Sequence, residues 1–285
     1  MMQSQRIVVS FSGSAVAIEV ADALIAEIVD FLIHPTLRDD SKIPHCTFRV
    51  QIAEEDQPIY TLTQDDEQKY LGDSLGSLAE VLQSIVCHEL ADRSRDGLLL
   101  HAAALVDAGR GVLIPGGIGA GKSTLTTWLL SKGLGYMTDE LVYIPWGTNE
   151  LHAYPRPLHL KYPSRAVLAV EKVDYEQSRL LMSSSFSDMV AVEAFTSHQI
   201  THPMPLSLAF FPRYQPQGEA QWQPLSAAQT AQSLMRSLVN ARNLPDHGFH
   251  EAARLARLAQ GVAFQYSHFN QIEEHLAGIL TFTCE

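Results

Sequence analysis

Apolar Ile7, Val9 and Phe11 alternate with their neighbours, and this period of two predicts two short strands within residues 6–20, joined at Ser12-Gly13-Ser14. The period then lengthens. Leu24, Ile25, Ile28, Phe31 and Leu32 share one helical face, and Pro35 ends that helix. Beyond the polar loop Arg38-Asp39-Asp40-Ser41, the segments Cys46–Ile52 and Pro58–Thr63 alternate like paired edge strands across a Glu54-Glu55-Asp56-Gln57 turn. A second helix covers about residues 75–92, with Leu75, Leu78, Val81, Leu82 and Ile85 on its buried face. These elements predict a small α+β domain over residues 1–95. It holds no cluster of reactive side chains, which suits a docking or assembly module.

The polar stretch Asp92-Arg93-Ser94-Arg95-Asp96-Gly97 marks a boundary, and a second domain is expected over residues 96–285. Leu98–Val106 reads as a strand that turns at Asp107-Ala108-Gly109-Arg110 into a second apolar strand, Gly111–Pro115, making the two hairpin neighbours. Next come a helix with Leu125, Trp128 and Leu129 on its buried face, Gly133 and Gly135 as its stop, and one strand from Tyr136 to Ile144. Glu171–Asp188 is polar and serine-rich and reads as irregular. Leu206–Phe211 is an apolar strand, and residues 215–224 an exposed connection. Two helices follow, burying Ala231, Leu234, Met235 and Leu238, then Ala252, Leu255, Leu258 and Ala259; a strand Val262–Tyr266 and a closing helix marked by Ile272, Leu276 and Ile279 complete the chain.

Composition narrows the classes of function. Of 285 residues, 46% are hydrophobic and 18% charged, as in a folded globular protein. The 20 basic residues against 32 acidic ones leave a net charge of −12 without a dense Lys/Arg run, so neither nucleic acid nor a membrane surface is an expected partner. Cys46, Cys87 and Cys284 are odd in number and far apart, which argues against a disulfide framework. The N-terminus has no secretory signal and no apolar run approaches the ~20 residues of a membrane span, so cytoplasm is the expected location.

The candidate chemistry starts at Gly116-Gly117-Ile118-Gly119-Ala120-Gly121-Lys122-Ser123-Thr124, which fits the P-loop spacing and sits between an apolar strand and a helix start. Gly116, Gly117, Gly119, Ala120 and Gly121 would bring backbone N–H groups to phosphate oxygens, together with the N–H groups of Lys122, Ser123 and Thr124 at the helix start. Lys122 would reach the terminal phosphates and Ser123 an Mg²⁺ ion. Asp139-Glu140 follow Lys122 by only 17 and 18 residues, so one helix and one turn return two carboxylates to the loop. The run Arg156–Arg165 holds Arg156, Lys161 and Arg165 with His159, and together with Arg213 at a strand end these cations are candidate substrate contacts. His247 and His250 lack an evident further ligand.

His101 at a strand end, the Gly116–Ser123 loop and the close Asp139-Glu140 pair resemble the HPr kinase/phosphorylase family, whose core is related to phosphoenolpyruvate carboxykinase. The resemblance covers residues 98–145 well and 146–285 in outline. It implies a P-loop α/β kinase domain with a mixed sheet, preceded by the small α+β domain, using ATP and Mg²⁺. It further implies that Asp139 accepts the proton of an attacking serine hydroxyl, that Glu140 and Ser123 serve the metal, that Lys122 binds phosphate, and that His101 stands near the transferred group. Thr124 follows the loop serine where the family has an acidic residue, Glu140 replaces an aspartate, and the family's downstream arginine-glycine segment is missing. These departures turn the expectation from HPr itself towards other serine hydroxyls on proteins or peptides, with homo-oligomers common among such kinases. The alternative is a nucleotide-binding regulatory or scaffold subunit without phosphoryl transfer.

Overall fold

Two residues in the left-handed region, Ser12 (φ 49°) and Gly13 (φ 81°), close the hairpin of β1 (Gln5–Phe11) and β2 (Ser14–Val20) where the sequence places it. Helix α1 (Ala23–Leu32) follows, its N-terminus capped by Asp22, whose carboxylate accepts from Leu24 N at 2.8 Å and Ile25 N at 3.2 Å. It buries Ile25, Ile28, Val29 and Leu32; Leu24, expected inside, is 47% exposed because it stands at the capped first turn. The chain then adds β3 (Thr47–Ala53), β4 (Ile59–Gln64) and β5 (Glu67–Gly72). β3 lies parallel to β2 and antiparallel to β4, so β3 and β4 are interior strands and the edge beyond them is β5, which the sequence reading lacked. Of the turn expected between them, Glu54–Asp56 lie outside the described residues.

The computed structural model describes residues 5–53, 57–117, 120–173, 182–276 and 280, which form a mixed α/β architecture. Helix α2 (Leu75–Arg93), capped by Ser74, packs on the five-stranded sheet and also against a short strand at Met182–Ser183 further along the chain. Burial on two sides explains why its inner surface is wider than the expected stripe, taking in Gly76, Ala79, Gln83, Val86, Cys87 and Leu90 beside Leu78 and Leu82. One apolar core runs from this sheet through α2 to Leu99, Leu141, Tyr154 and Met189, across the boundary expected near Gly97.

β6 (Gly97–Asp107) and β7 (Arg110–Pro115) form the expected antiparallel hairpin, turning at Ala108 (φ 46°) and Gly109 (φ 79°). α3 (Lys122–Ser131) follows the glycine loop. The single strand expected over Tyr136–Ile144 is two, β8 (Gly135–Thr138) and β9 (Leu141–Pro145), broken at Asp139-Glu140. Both pair with β6, β9 along its first half and β8 along its second, with a register shift. β10 (Glu150–Ala153) lies beside β9. The run Arg156–Arg165 becomes β11 (Leu158–Lys161) and the first turn of α4 (Tyr162–Val170). Part of the stretch read as irregular forms β12 (Met182–Ser183) and β13 (Ser187–Val190), which complete a three-stranded sheet with β11.

β14 (Met204–Tyr214) runs parallel to β7 on one side and to a late strand over Gln260–Tyr266 on the other. β15 (Gln221–Leu225) arises from the supposed connection, because Trp222 packs its ring 5.7 Å from Phe264. α5 (Ala227–Met235), opened by a Ser226/Gln229 capping box, and α6 (Phe249–Leu258) bury Leu234 and Leu255 as expected, whereas Leu258 is 55% exposed at the helix end. β16 (Gln260–Tyr266) and α7 (Phe269–Leu276) close the described chain; Ile279 and Cys284 lie outside it. The large sheet reads β10-β9-β6-β7-β14-β16-β15, with β8 also on β6, and β10 additionally bonds β14 so that five of its strands curl into a ring. No described helix is long and apolar enough to cross a membrane.

Candidate active site

The buried strand β7 delivers the chain into the glycine loop, which ends at Gly121 in the left-handed region (φ 81°), a conformation that strains any residue with a β-carbon. α3 starts at the next residue with no side chain capping it. Its first N–H groups and the positive end of its dipole therefore stay open on the loop side. Lys122 folds back over the loop, where its Nζ donates to Gly116 O at 2.7 Å and Gly117 O at 3.3 Å. Burial, partly offset by Glu140 and Asp139, lowers its pKa. A β-carbon on Gly116 would lie 3.3 Å from Ala120 Cβ, and one on Gly117 would meet nothing within 4 Å among the described residues. Ile118 and Gly119 lie outside the described residues. The Thr124 hydroxyl joins α3 to α4 through Ser164 Oγ at 2.8 Å.

Opposite the loop, the β8–β9 break carries both carboxylates. It is pinned from several directions: Thr138 Oγ1 donates to Tyr154 O (2.6 Å) and accepts from Glu140 N (3.2 Å), while Ala102 N donates to Glu140 O (3.1 Å). Asp139 is 1% exposed. Its Oδ1 accepts from Arg156 Nε at 2.8 Å and from Tyr136 OH at 3.4 Å, whereas buried Oδ2 has no hydrogen-bond partner of ordinary geometry among the described residues. Burial pushes this carboxyl's pKa up, but the Arg156 guanidinium, with help from the neighbouring Ser123 hydroxyl, more than offsets it and holds the pKa below the usual value. Arg156 also reaches Glu140 Oε2 at 2.8 Å and Gln83 Oε1 at 3.3 Å. Glu140 remains partly open to solvent and lies 3.9 Å from His101 Nε2. Burial first, then the Lys122 charge, lowers the His101 pKa, so this imidazole is neutral at neutral pH.

His101, Ala120–Thr124, Asp139, Glu140, Arg156, His159 and Lys161 line one cavity of about 400 Å³. The fold thus brings Ala120–Thr124 of the loop and both acidic residues to one cavity, whereas Gly116 and Gly117 are not part of its lining. Of the four expected substrate cations, Lys161 is exposed on this cavity, and Arg156 is buried as the clamp of the two carboxylates. Arg165 lies outside the cavity lining, locked to Asp188 by two 2.7 Å hydrogen bonds, and exposed Arg213 also lies outside it. A second cavity of about 380 Å³ shares Gly121, Thr124 and Ser164 with the first and is walled by Val167, Tyr214, Tyr266, His268 and Phe269.

Sequence reasoning missed the contribution of α2. Glu80 accepts from the Ser184 hydroxyl at 2.9 Å and also bonds Ser187, while pairing with His159 Nε2 at 2.8 Å; Gln83 holds Arg156. One signal existed: Gln83 falls on the apolar stripe of Ala79, Val86 and Leu90, where a polar residue needs a partner.

The donors present suit the groups that an HPr-kinase-like reading implies. Ser123 and the buried Oδ2 of Asp139 are hard oxygens of the kind Mg²⁺ takes, and the α3 start beside Lys122, which no side chain caps, suits phosphate. No family model matches the chain, and no curated protein matches it. Among solved structures, the Hpr(Ser) kinase/phosphatase from Coxiella burnetii is similar at a TM-score of 0.31 and 13% identity, over 64% of this chain and 97% of that one. A likeness this slight assigns neither family nor activity.

Proposed function

We propose that this chain is an ATP- and Mg²⁺-dependent kinase that transfers the γ-phosphoryl group to a serine-type hydroxyl of a protein or peptide. The observation that carries the reading is the meeting, in one cavity, of a helix start without a side-chain cap, Lys122 and a buried carboxylate whose second oxygen, beside Ser123, has no hydrogen bond of ordinary geometry among the described residues. The aromatic cavity next to it fits a nucleobase, which stacks on flat apolar walls, and Gly121, Thr124 and Ser164 would lie between base and phosphates.

The two carboxylates divide the work differently from the expectation drawn from the resemblance. Asp139 is buried and its charge is fixed by Arg156, so it is suited to hold a cation with Ser123 and poorly suited to take a proton. Glu140 is the more exposed and faces His101, so it is suited to orient the acceptor hydroxyl and receive its proton as the new O–P bond forms and the bond to ADP breaks. Mg²⁺, when bound, would neutralise charge on the phosphates. Lys122 would leave the Gly116 and Gly117 carbonyls for the terminal phosphate oxygens, and neutral His101 would bound the acceptor side.

The deciding experiment incubates purified protein with γ-labelled ATP, Mg²⁺ and a serine-containing peptide library, and locates phosphate by mass spectrometry. The expected result is label on serine that falls at least about 100-fold in Lys122→Ala and in Glu140→Gln. ATP binding that is lost in Lys122→Ala, without transfer to any peptide or protein hydroxyl, would overturn the kinase reading in favour of a regulatory nucleotide-binding subunit.

A further inference from the structure

His45 and Cys46 stand just before β3, and their backbone is pinned to β2: His45 N donates to Ala15 O and Ala17 N to Cys46 O, both at 3.0 Å. Glu89, on the last turns of α2, meets them from the opposite side of the core, its Oε2 3.2 Å from His45 Nε2. The imidazole nitrogen, the thiol sulfur and a carboxylate oxygen all lie within 4.8 Å of one another. The thiol is buried, and the other two groups are partly open to solvent. The side-chain amide of Gln64, on β4, reaches both Cys46 and Glu89.

We propose that His45, Cys46 and Glu89 form a divalent transition-metal site, with zinc as the best-suited ion. Nitrogen, thiolate and carboxylate together select a borderline-soft cation, whereas Mg²⁺ and Ca²⁺ take oxygen alone. Bonds of about 2.0–2.3 Å in a tetrahedron require donor–donor edges of roughly 3.3–3.8 Å. The His45–Glu89 edge is already that short, and the Cys46 sulfur lies within 4.8 Å of both partners. Three protein ligands leave the fourth position to water. On binding, the thiol proton leaves to solvent as the sulfur–metal bond forms. The ion would tie the start of β3 to the helix that carries Glu80 and Gln83 to the candidate active site, a structural role independent of the kinase reading.

The test adds Co²⁺, then Zn²⁺, to reduced, tag-free protein without nucleotide or Mg²⁺. The expected result is a thiolate-to-cobalt charge-transfer band, displaced by Zn²⁺, together with a rise in melting temperature. Cys46→Ser should abolish the band, Glu89→Gln should weaken binding at least about tenfold, and Cys87→Ser should retain both band and affinity. Glu89→Gln also serves if Cys46→Ser folds poorly. No charge-transfer band in the wild type, a band that survives Cys46→Ser, or unchanged affinity in Glu89→Gln would overturn the site.

Discussion

Arg156 is the residue on which the acidic centre depends. It is 8% exposed and the described ion-pair partner of both Asp139 and Glu140, so removing it strands a carboxylate in the core. Breaking one side of a buried pair typically costs about 3–5 kcal/mol, and Arg156→Leu is expected to lose that much in urea unfolding. A loss below about 1 kcal/mol would mean that water reaches Asp139 after all. Arg156→Lys restores charge but cannot reach two carboxylates and Gln83 at once, so it should recover only part of the loss. From the sequence, Arg156, Lys161 and Arg165 form one basic cluster. Their separate fates, clamp, cavity wall and partner of Asp188, depend on where residues far along the chain arrive. His45, Cys46 and Glu89 make the same point, because the donors are joined only when α2 packs on the first sheet.

At the scale of elements, α2 links the two halves of the molecule. Gly76 lets it approach β12: a β-carbon there would sit 1.9 Å from the Ser183 carbonyl oxygen, a backbone atom that cannot swing aside. Gly76→Ala should therefore lower the melting temperature, the strain of about 1–3 kcal/mol outweighing the ~1 kcal/mol that alanine gains over glycine inside a helix. A higher melting temperature in differential scanning calorimetry would refute this contact. Periodicity located α1, α2, α3, α5 and α6 because each keeps an apolar stripe over several turns. It missed β5, β10 and β15, whose residues are mixed and whose stability comes from their neighbours in the sheet. The β8–β9 break was equally hidden, because the apolar flanks of Asp139-Glu140 read as one continuous strand.

For the molecule as a whole, burial and ion pairing set how stability depends on pH. His34 and His101 both have pKa values lowered, chiefly by burial, so the unfolded chain takes up protons first as pH falls below the ordinary histidine value of about 6.5. Their contribution to stability is present above that pH and is lost on acidification towards the folded values. Asp139, Glu89 and Glu251 are lowered too, and their contribution persists until pH falls below the unfolded carboxylate range of about 4 and through the folded values. Chemical denaturation between pH 8 and 3 should accordingly give two successive losses of stability, and His101→Gln should reduce the first; a flat profile above pH 5 would contradict the burial of both histidines. The sequence by itself determined the strand–glycine loop–helix order, the β6–β7 hairpin and most helices, since each depends on local spacing, glycine conformation and amphipathic period. Only the tertiary structure decided that Asp139 is clamped while Glu140 stays partly open, that α2 supplies Glu80 and Gln83, and that an aromatic cavity adjoins the loop. Burial, and the partners of a charge, are set by segments tens of residues apart that meet only when the sheets pack.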